Sequence, residues 1–233
     1  MRPARRDDAT GRTAVIDEER MTTPPDKSKR GKSEREPSHG PTSDPRTKLL
    51  DAAERLLIEV GHGAVTTRLL SKEAGLNQGL VHYYYGSMEE LFLAVLERFT
   101  ARLIVRQRAM YAADTTFLVK WRKAMGFLEQ DLAAGYPKIW LELQAMGWNR
   151  PAMRTRLAAV HDQWITVLTD AFSTAMKHYG IVNHPLSVEA LVALVATFNE
   201  GIMIERLSGI KRGHASLLRS IDRWLASLEA AAR

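Results

Sequence analysis

The chain has 233 residues, 45% of them hydrophobic, and a formal net charge of +6; that is enough for one large domain or a small one joined to a larger. The absence of cysteine excludes disulfides and thiolate metal sites, and the basic balance favours polyanionic partners without fixing a fold. The most apolar stretch, residues 188–198, is too short to cross a bilayer, and the charged N-terminus lacks the apolar stretch of a secretory signal, so a cytoplasmic protein with no membrane partner is expected.

Residues 1–44 are rich in Arg, Lys, Asp, Glu, Pro, Ser and Thr and poor in apolar side chains. Such a segment buries too little surface to offset its ordering entropy, and a disordered tail is expected. Its basic run at 27–35, KSKRGKSER, reads as a solvated tail or as an arm along DNA phosphates, and Met21 is a second candidate start. Folded structure is predicted to begin with Asp44 as N-cap and Pro45 as first helical residue. Leu49, Leu50, Ala53, Leu56, Leu57 and Val60 then recur at helical spacing, and Gly61 and Gly63 end that helix. Arg46 and Lys48 lie in its first turn, where acids are usual. That placement suits a backbone phosphate and a solvated helix start equally.

Thr66 is predicted to cap a second helix over 67–74, which Gly75 stops because glycine enters the left-handed conformation without strain. Asn77 then caps a third helix from 78 to 84 or 85. Gly86 closes it, and Ser87 with Glu90 forms a capping box that opens a longer one. Two short helices across a glycine turn make a helix-turn-helix. The second bears groups that reach phosphates and base edges: Asn77, Gln78, His82, Tyr83 and Tyr84. Gln78 can bind adenine through two hydrogen bonds, and Leu80 can meet a thymine methyl. Tyr85 falls with Val81 on the inner i, i+4 face and is expected to pack.

The succession Ala74, Gly75, Leu76, Asn77, Gly79, Val81, Tyr84, Tyr85, Ser87, Glu89, Glu90 and Leu91 resembles the recognition segment of the TetR family of transcriptional repressors, and the likeness runs over about residues 46–96. The resemblance implies an all-α chain with a helix-turn-helix DNA-binding domain at 45–92 and a helical-bundle effector-binding and dimerisation domain at 93–233. It further implies a homodimer joined through its last two helices. That dimer would repress from a palindromic double-stranded operator and leave it when a small apolar or aromatic effector binds. The DNA-facing residues are then Arg46, Thr66, Arg68, Asn77, Gln78, Gly79, Leu80, His82, Tyr83 and Tyr84. Thr66 matches the family's backbone-contacting threonine. Several positions depart from the pattern: Leu69 and Ser71 in the second helix, Val81 and His82 in the third, and Met88 where a phosphate-contacting lysine is frequent. The rivals are a DNA-binding architectural protein without effector and a helical enzyme using the C-terminal pocket.

Beyond residue 87 a helix of residues 88–110 carries the stripe Leu91, Phe92, Val95, Leu96, Phe99, Leu103 and Ile104. Asp114 is expected to cap the next helix, to about residue 132 or 134. A short helix at 138–148 is apolar nearly all round, which implies burial on most faces. Helices at 152–179, 188–207 and 214–231 complete an all-α chain. For the effector pocket the candidates are Trp121, Met125, Trp140, Leu143, Met146, Trp164, Phe172, Phe198 and Asn199, with Glu142, Gln144, His161 and Glu200 as further polar groups. Aromatic and methionine side chains suit an adaptable apolar site, and ordinary core packing is the alternative for each. No catalytic motif, phosphate-binding loop or paired-histidine metal motif occurs, so no catalytic residue, metal or cofactor is expected.

Overall fold

A computed structural model describes residues 44–181 and 185–231. The predicted disordered tail with its basic run lies outside them. Within the described residues there are nine α-helices and no strand: α1 Pro45–Glu59, α2 Thr67–Ala74, α3 Gly79–Tyr85, α4 Met88–Ala112, α5 Phe117–Ala133, α6 Tyr136–Gly147, α7 Pro151–His178, α8 Val188–Leu207 and α9 His214–Ala231, with a 3-10 turn at His62–Ala64 after α1. The all-α reading therefore holds, with helix ends within a few residues of those expected.

The caps follow sequence chemistry with four exceptions. Thr66 Oγ1 accepts from the Leu69 N–H at 3.1 Å, and Ser87 Oγ accepts from the Glu90 N–H at 3.1 Å. Asp44 stands at the head of α1 without a side-chain bond to it, leaving Pro45 to set the start. α5 is capped by Thr116, whose hydroxyl takes the Val119 N–H at 3.4 Å, rather than by Asp114. Ser87 receives no return bond from the Glu90 carboxylate, which pairs with Arg156 on α7 instead. Asn77 caps from one residue further out than expected. Its Oδ1 accepts from the Gly79 N–H at 2.9 Å, so α3 begins at Gly79.

α1 and α3 pack on the first half of α4, and α2 packs on α1. Their interior is Leu49, Ala52, Ala53, Leu56, Leu57, Leu70 and Val81 against Leu91, Phe92 and Val95, all buried. The apolar core does not stop at residue 92. It continues through Leu96 into Ile139, Trp140 and Leu143 of α6 and Met153, Leu157 and Val160 of α7. Burying this much apolar surface is the main force holding the helix-turn-helix to the helices behind it.

Two glycines permit that close seating. Gly61 has φ +78, and a Cβ there would stand 2.7 Å from Glu142 Oε1; Gly135 has φ +80, and its Cβ would stand 2.9 Å from Ile58. Both lie where the end of α1 meets α6. Behind this junction α7 packs on α4, α6 and α8, and α9 on α5. No helix among the described residues is long and apolar enough to cross a membrane.

Candidate nucleic-acid interface and helical cavity

The helix-turn-helix turn is built from backbone chemistry. Gly75 at φ +66 ends α2 in the left-handed conformation, and the Leu76 N–H returns to the Ser71 carbonyl at 2.9 Å. This brings Arg46, Thr66, Arg68, Asn77, Gln78, Gly79, His82 and Tyr83 out to solvent, Tyr83 by 78% of its surface. Val81 turns inward and is fully buried.

The remaining hydrogen-bonding capacity of these groups is narrower than their names imply. Thr66 Oγ1 takes the Leu69 N–H and keeps its own proton to donate. Asn77 Oδ1 and the Gly79 N–H satisfy each other, so Asn77 has its Nδ2 left to give. His82 Nδ1 lies 2.9 Å from the Gly86 carbonyl. A carbonyl only accepts, so Nδ1 carries the proton and Nε2 of the neutral ring is an acceptor. Leu80 and Tyr84 are half-buried and rest on the core, with Tyr84 edge-on to Tyr83 at 4.9 Å between centroids. Tyr85 donates to the Arg46 carbonyl at 2.9 Å and takes the Arg46 guanidinium over its ring at 5.5 Å. This tyrosine ties α3 to the start of α1; burial pushes its phenol up.

The second feature is a cavity of about 110 Å³ among α4, α5, α6, α7 and α8. Of the candidate pocket residues, Trp121, Met125, Trp140, Trp164, Phe172 and Asn199 stand on its wall. Leu143, Met146 and Phe198 do not. Leu143 points into the core shared with α1 and α4, Met146 packs against that core, and Phe198 is half-buried off the wall. His161 and Glu200 are also on the wall, whereas Gln144 reaches it only through Glu200 and Glu142 faces away. The His161 ring lies near-parallel to Trp140, centroids 6.0 Å apart, and 6.1 Å from Trp164. The sequence reading missed Gln107, Tyr111 and Tyr136, all on the wall. Polar residues in the apolar stripes of α4 and α6 were the available signal. An open groove of about 590 Å³ beside α4 and α7 shares Tyr111 and Phe117 with the cavity, so these rings stand between it and solvent.

One helix borders both features. On one face of α6, Lys138 Nζ donates to the Ile58 carbonyl at 2.6 Å. On the same face the Glu142 carboxylate accepts from the His62 N–H at 2.6 Å and lies 3.0 Å from its Nδ1. On the other face Trp140 and Gln144 donate to Glu200 Oε1 at 3.4 and 2.8 Å. Positions 138 and 142 against 140 and 144 are half a turn apart, so a single helix touches the DNA-binding unit and the cavity. Arg150–Glu89 at 2.9 Å and Arg156 with Glu90 and Glu97 add surface ties from α7 to α4. Among the described residues no cluster of three or more His, Asp or Glu is placed to hold a metal.

Residues 49–95 match the family described as "Bacterial regulatory proteins, tetR family". The HTH-type transcriptional regulator BetI of Stenotrophomonas maltophilia is 25% identical over 157 residues, covering 64% of this chain and 76% of that protein. Among solved structures, FadR from Bacillus subtilis, crystallised with stearoyl-CoA, superposes with a TM-score of 0.64 at 15% identity over 77% of this chain and 96% of that one. A regulator from Saccharomonospora viridis in complex with choline superposes with a TM-score of 0.59 at 20% identity over 80% and 95%. With the helix-turn-helix built as described and its sequence matched across all three helices of the unit, residues 49–95 form a helix-turn-helix domain of the TetR family of bacterial regulatory proteins, and the likeness to whole regulators of that kind extends over the helices behind it.

Proposed function

We propose that the chain is a homodimeric repressor that binds a palindromic operator through α3 of each protomer and releases it when a small molecule fills the cavity. The observation that carries this reading is α6, whose opposite faces are bonded to the DNA-binding unit and to the cavity wall. In this reading residues 45–92 bind DNA and residues 93–233 bind the effector and the second protomer. Gln78, Asn77, His82 and Leu80 address base edges. Arg46, Thr66, Arg68, Tyr83 and Tyr84 address the backbone, with Gly79 letting the helix start approach it. The solved relatives with stearoyl-CoA and choline support an effector of some kind in a fold of this type.

The second protomer covers the outer faces of α8 and α9. Leu194 is 58% exposed and shares a stripe with Gly201 and Ile204; Trp224 is 51% exposed and shares one with Leu217. An exposed glycine in mid-helix costs about 1 kcal/mol against alanine, a cost that close approach of another helix offsets. Two-fold symmetry then sets the recognition helices about 34–36 Å apart, one turn of DNA.

Selection of duplexes from a random pool tests the reading. The unmutated chain should enrich an inverted repeat with half-sites one turn apart, and Trp224→Glu should be monomeric by light scattering and enrich no repeat. An enriched site without two-fold symmetry, or a monomeric unmutated chain at micromolar concentration, overturns it.

A further inference from the structure

The cavity wall holds two acids, Asp131 and Glu200, and no lysine or arginine. Asp131 is answered in place by Arg106 at 2.6 Å. Burial still pushes its carboxyl up, against the pull of that guanidinium. Glu200 has neutral partners only, the Gln144 amide and the Trp140 indole, both on the same oxygen. Gln107 is 8% exposed, and its Oε1 is buried without a hydrogen-bond partner. The Asn199 amide nitrogen is engaged by the Val195 carbonyl at 2.9 Å, which leaves that side chain its oxygen. Burial holds Tyr111 and Tyr136 up at about 12, so both are neutral phenols. The wall therefore offers a carboxylate and the Gln107 and Asn199 oxygens, beside the two phenols and the His161 ring and among the rings of Trp121, Trp140 and Trp164.

An apolar occupant leaves the Glu200 carboxylate and the Gln107 oxygen unanswered, each a cost when dry. An anionic occupant meets a like charge. A cation is drawn to both the carboxylate and the tryptophan faces, and desolvation strengthens the attraction. Resting on the reading of this cavity as the effector site, we propose that the effector is a small organic cation bearing an O–H or N–H donor. Its charge lies against Glu200 and the tryptophan rings, and its donor reaches Gln107 Oε1. The cavity's volume of about 110 Å³ suits a molecule of a few heavy atoms. This narrows the expectation of a small apolar or aromatic effector to one that carries a positive charge.

Three probes separate the contributions, read by quenching of tryptophan fluorescence and by calorimetry on the full chain. Choline carries charge and hydroxyl, tetramethylammonium charge alone, and 3,3-dimethylbutan-1-ol is the neutral carbon isostere of choline. Choline should bind at least about tenfold more tightly than the isostere, and more tightly than tetramethylammonium. Glu200→Gln should erase the preference for charge, and Gln107→Leu the preference for the hydroxyl. Equal or tighter binding of the isostere overturns the proposal, as does failure of both cations to bind the unmutated chain. The comparison on the unmutated chain stands even if a variant folds poorly. A neutral compound that fills the cavity and releases selected DNA removes the cation and leaves the repressor reading in place.

Discussion

In the proposed reading Gln78 and Arg68 make two different kinds of DNA contact from one small surface. Gln78 sits at the exposed start of α3 with its whole amide uncommitted to any bond within the helix-turn-helix. If it grips a base edge, Gln78→Ala should cost roughly 1–3 kcal/mol at the selected site and relax the preference at one base pair. Arg68 is exposed on α2. Arg68→Ala should weaken all sequences alike and lower the salt dependence by about one counter-ion. Fluorescence anisotropy across a salt series reads both. A uniform loss for Gln78→Ala, or a base-specific one for Arg68→Ala, reverses the assignment. The identity of these exposed residues was legible in the sequence, because helical period and glycine punctuation fix which side chains face out. Their chemistry was only half legible. The Gly86 carbonyl that holds His82 Nδ1 depends on the positive φ at Gly86, and that bond leaves Nε2 as the ring nitrogen free to meet DNA.

At the scale of one helix, α6 is where sequence reading reached least far. Its residues are apolar nearly all round, so the 3.6 period carries no contrast between a face on the core and a face on a cavity. Trp140 lines the cavity while Leu143, three residues on, is buried against α1 and α4. Both satisfy the same hydrophobic pattern. The polar residues were better guides, although Glu142 proved to face His62 and not an effector. The long helix α4 is the other element that could link the two sites. It does pack on both, but the polar ties from the end of α1 and the 3-10 turn run to α6. Glu142→Ala should therefore leave cavity binding within about twofold while reducing the factor by which ligand weakens operator binding, since coupling between sites is commonly 1–3 kcal/mol. Paired titrations of ligand and DNA measure it. An unchanged coupling factor assigns the transmission to α4 alone.

For the whole molecule, the sequence placed nine helices in order because each is bounded by capping hydroxyls, glycines or prolines, signals local to a few residues. It could not place the tertiary choices. Two candidate caps, Asp114 and Thr116, stand before α5, and Thr116 holds the position. Leu225 is 7% exposed and packs within its own protomer, while Trp224 beside it points out. Adjacent apolar residues on α9 divide between the core and the outer face, and only packing tells them apart.

In the proposed function, filling the cavity and holding the operator are opposed states of one molecule. A ligand shifts that balance only through unequal affinity for the two states. The most direct measurement is calorimetry of a cavity ligand with the free protein and with the protein saturated by selected operator DNA. The account predicts that DNA weakens ligand binding by the same factor as ligand weakens DNA binding, as linkage requires. Identical ligand affinity in the two titrations, for a compound that does quench the cavity tryptophans, would contradict it.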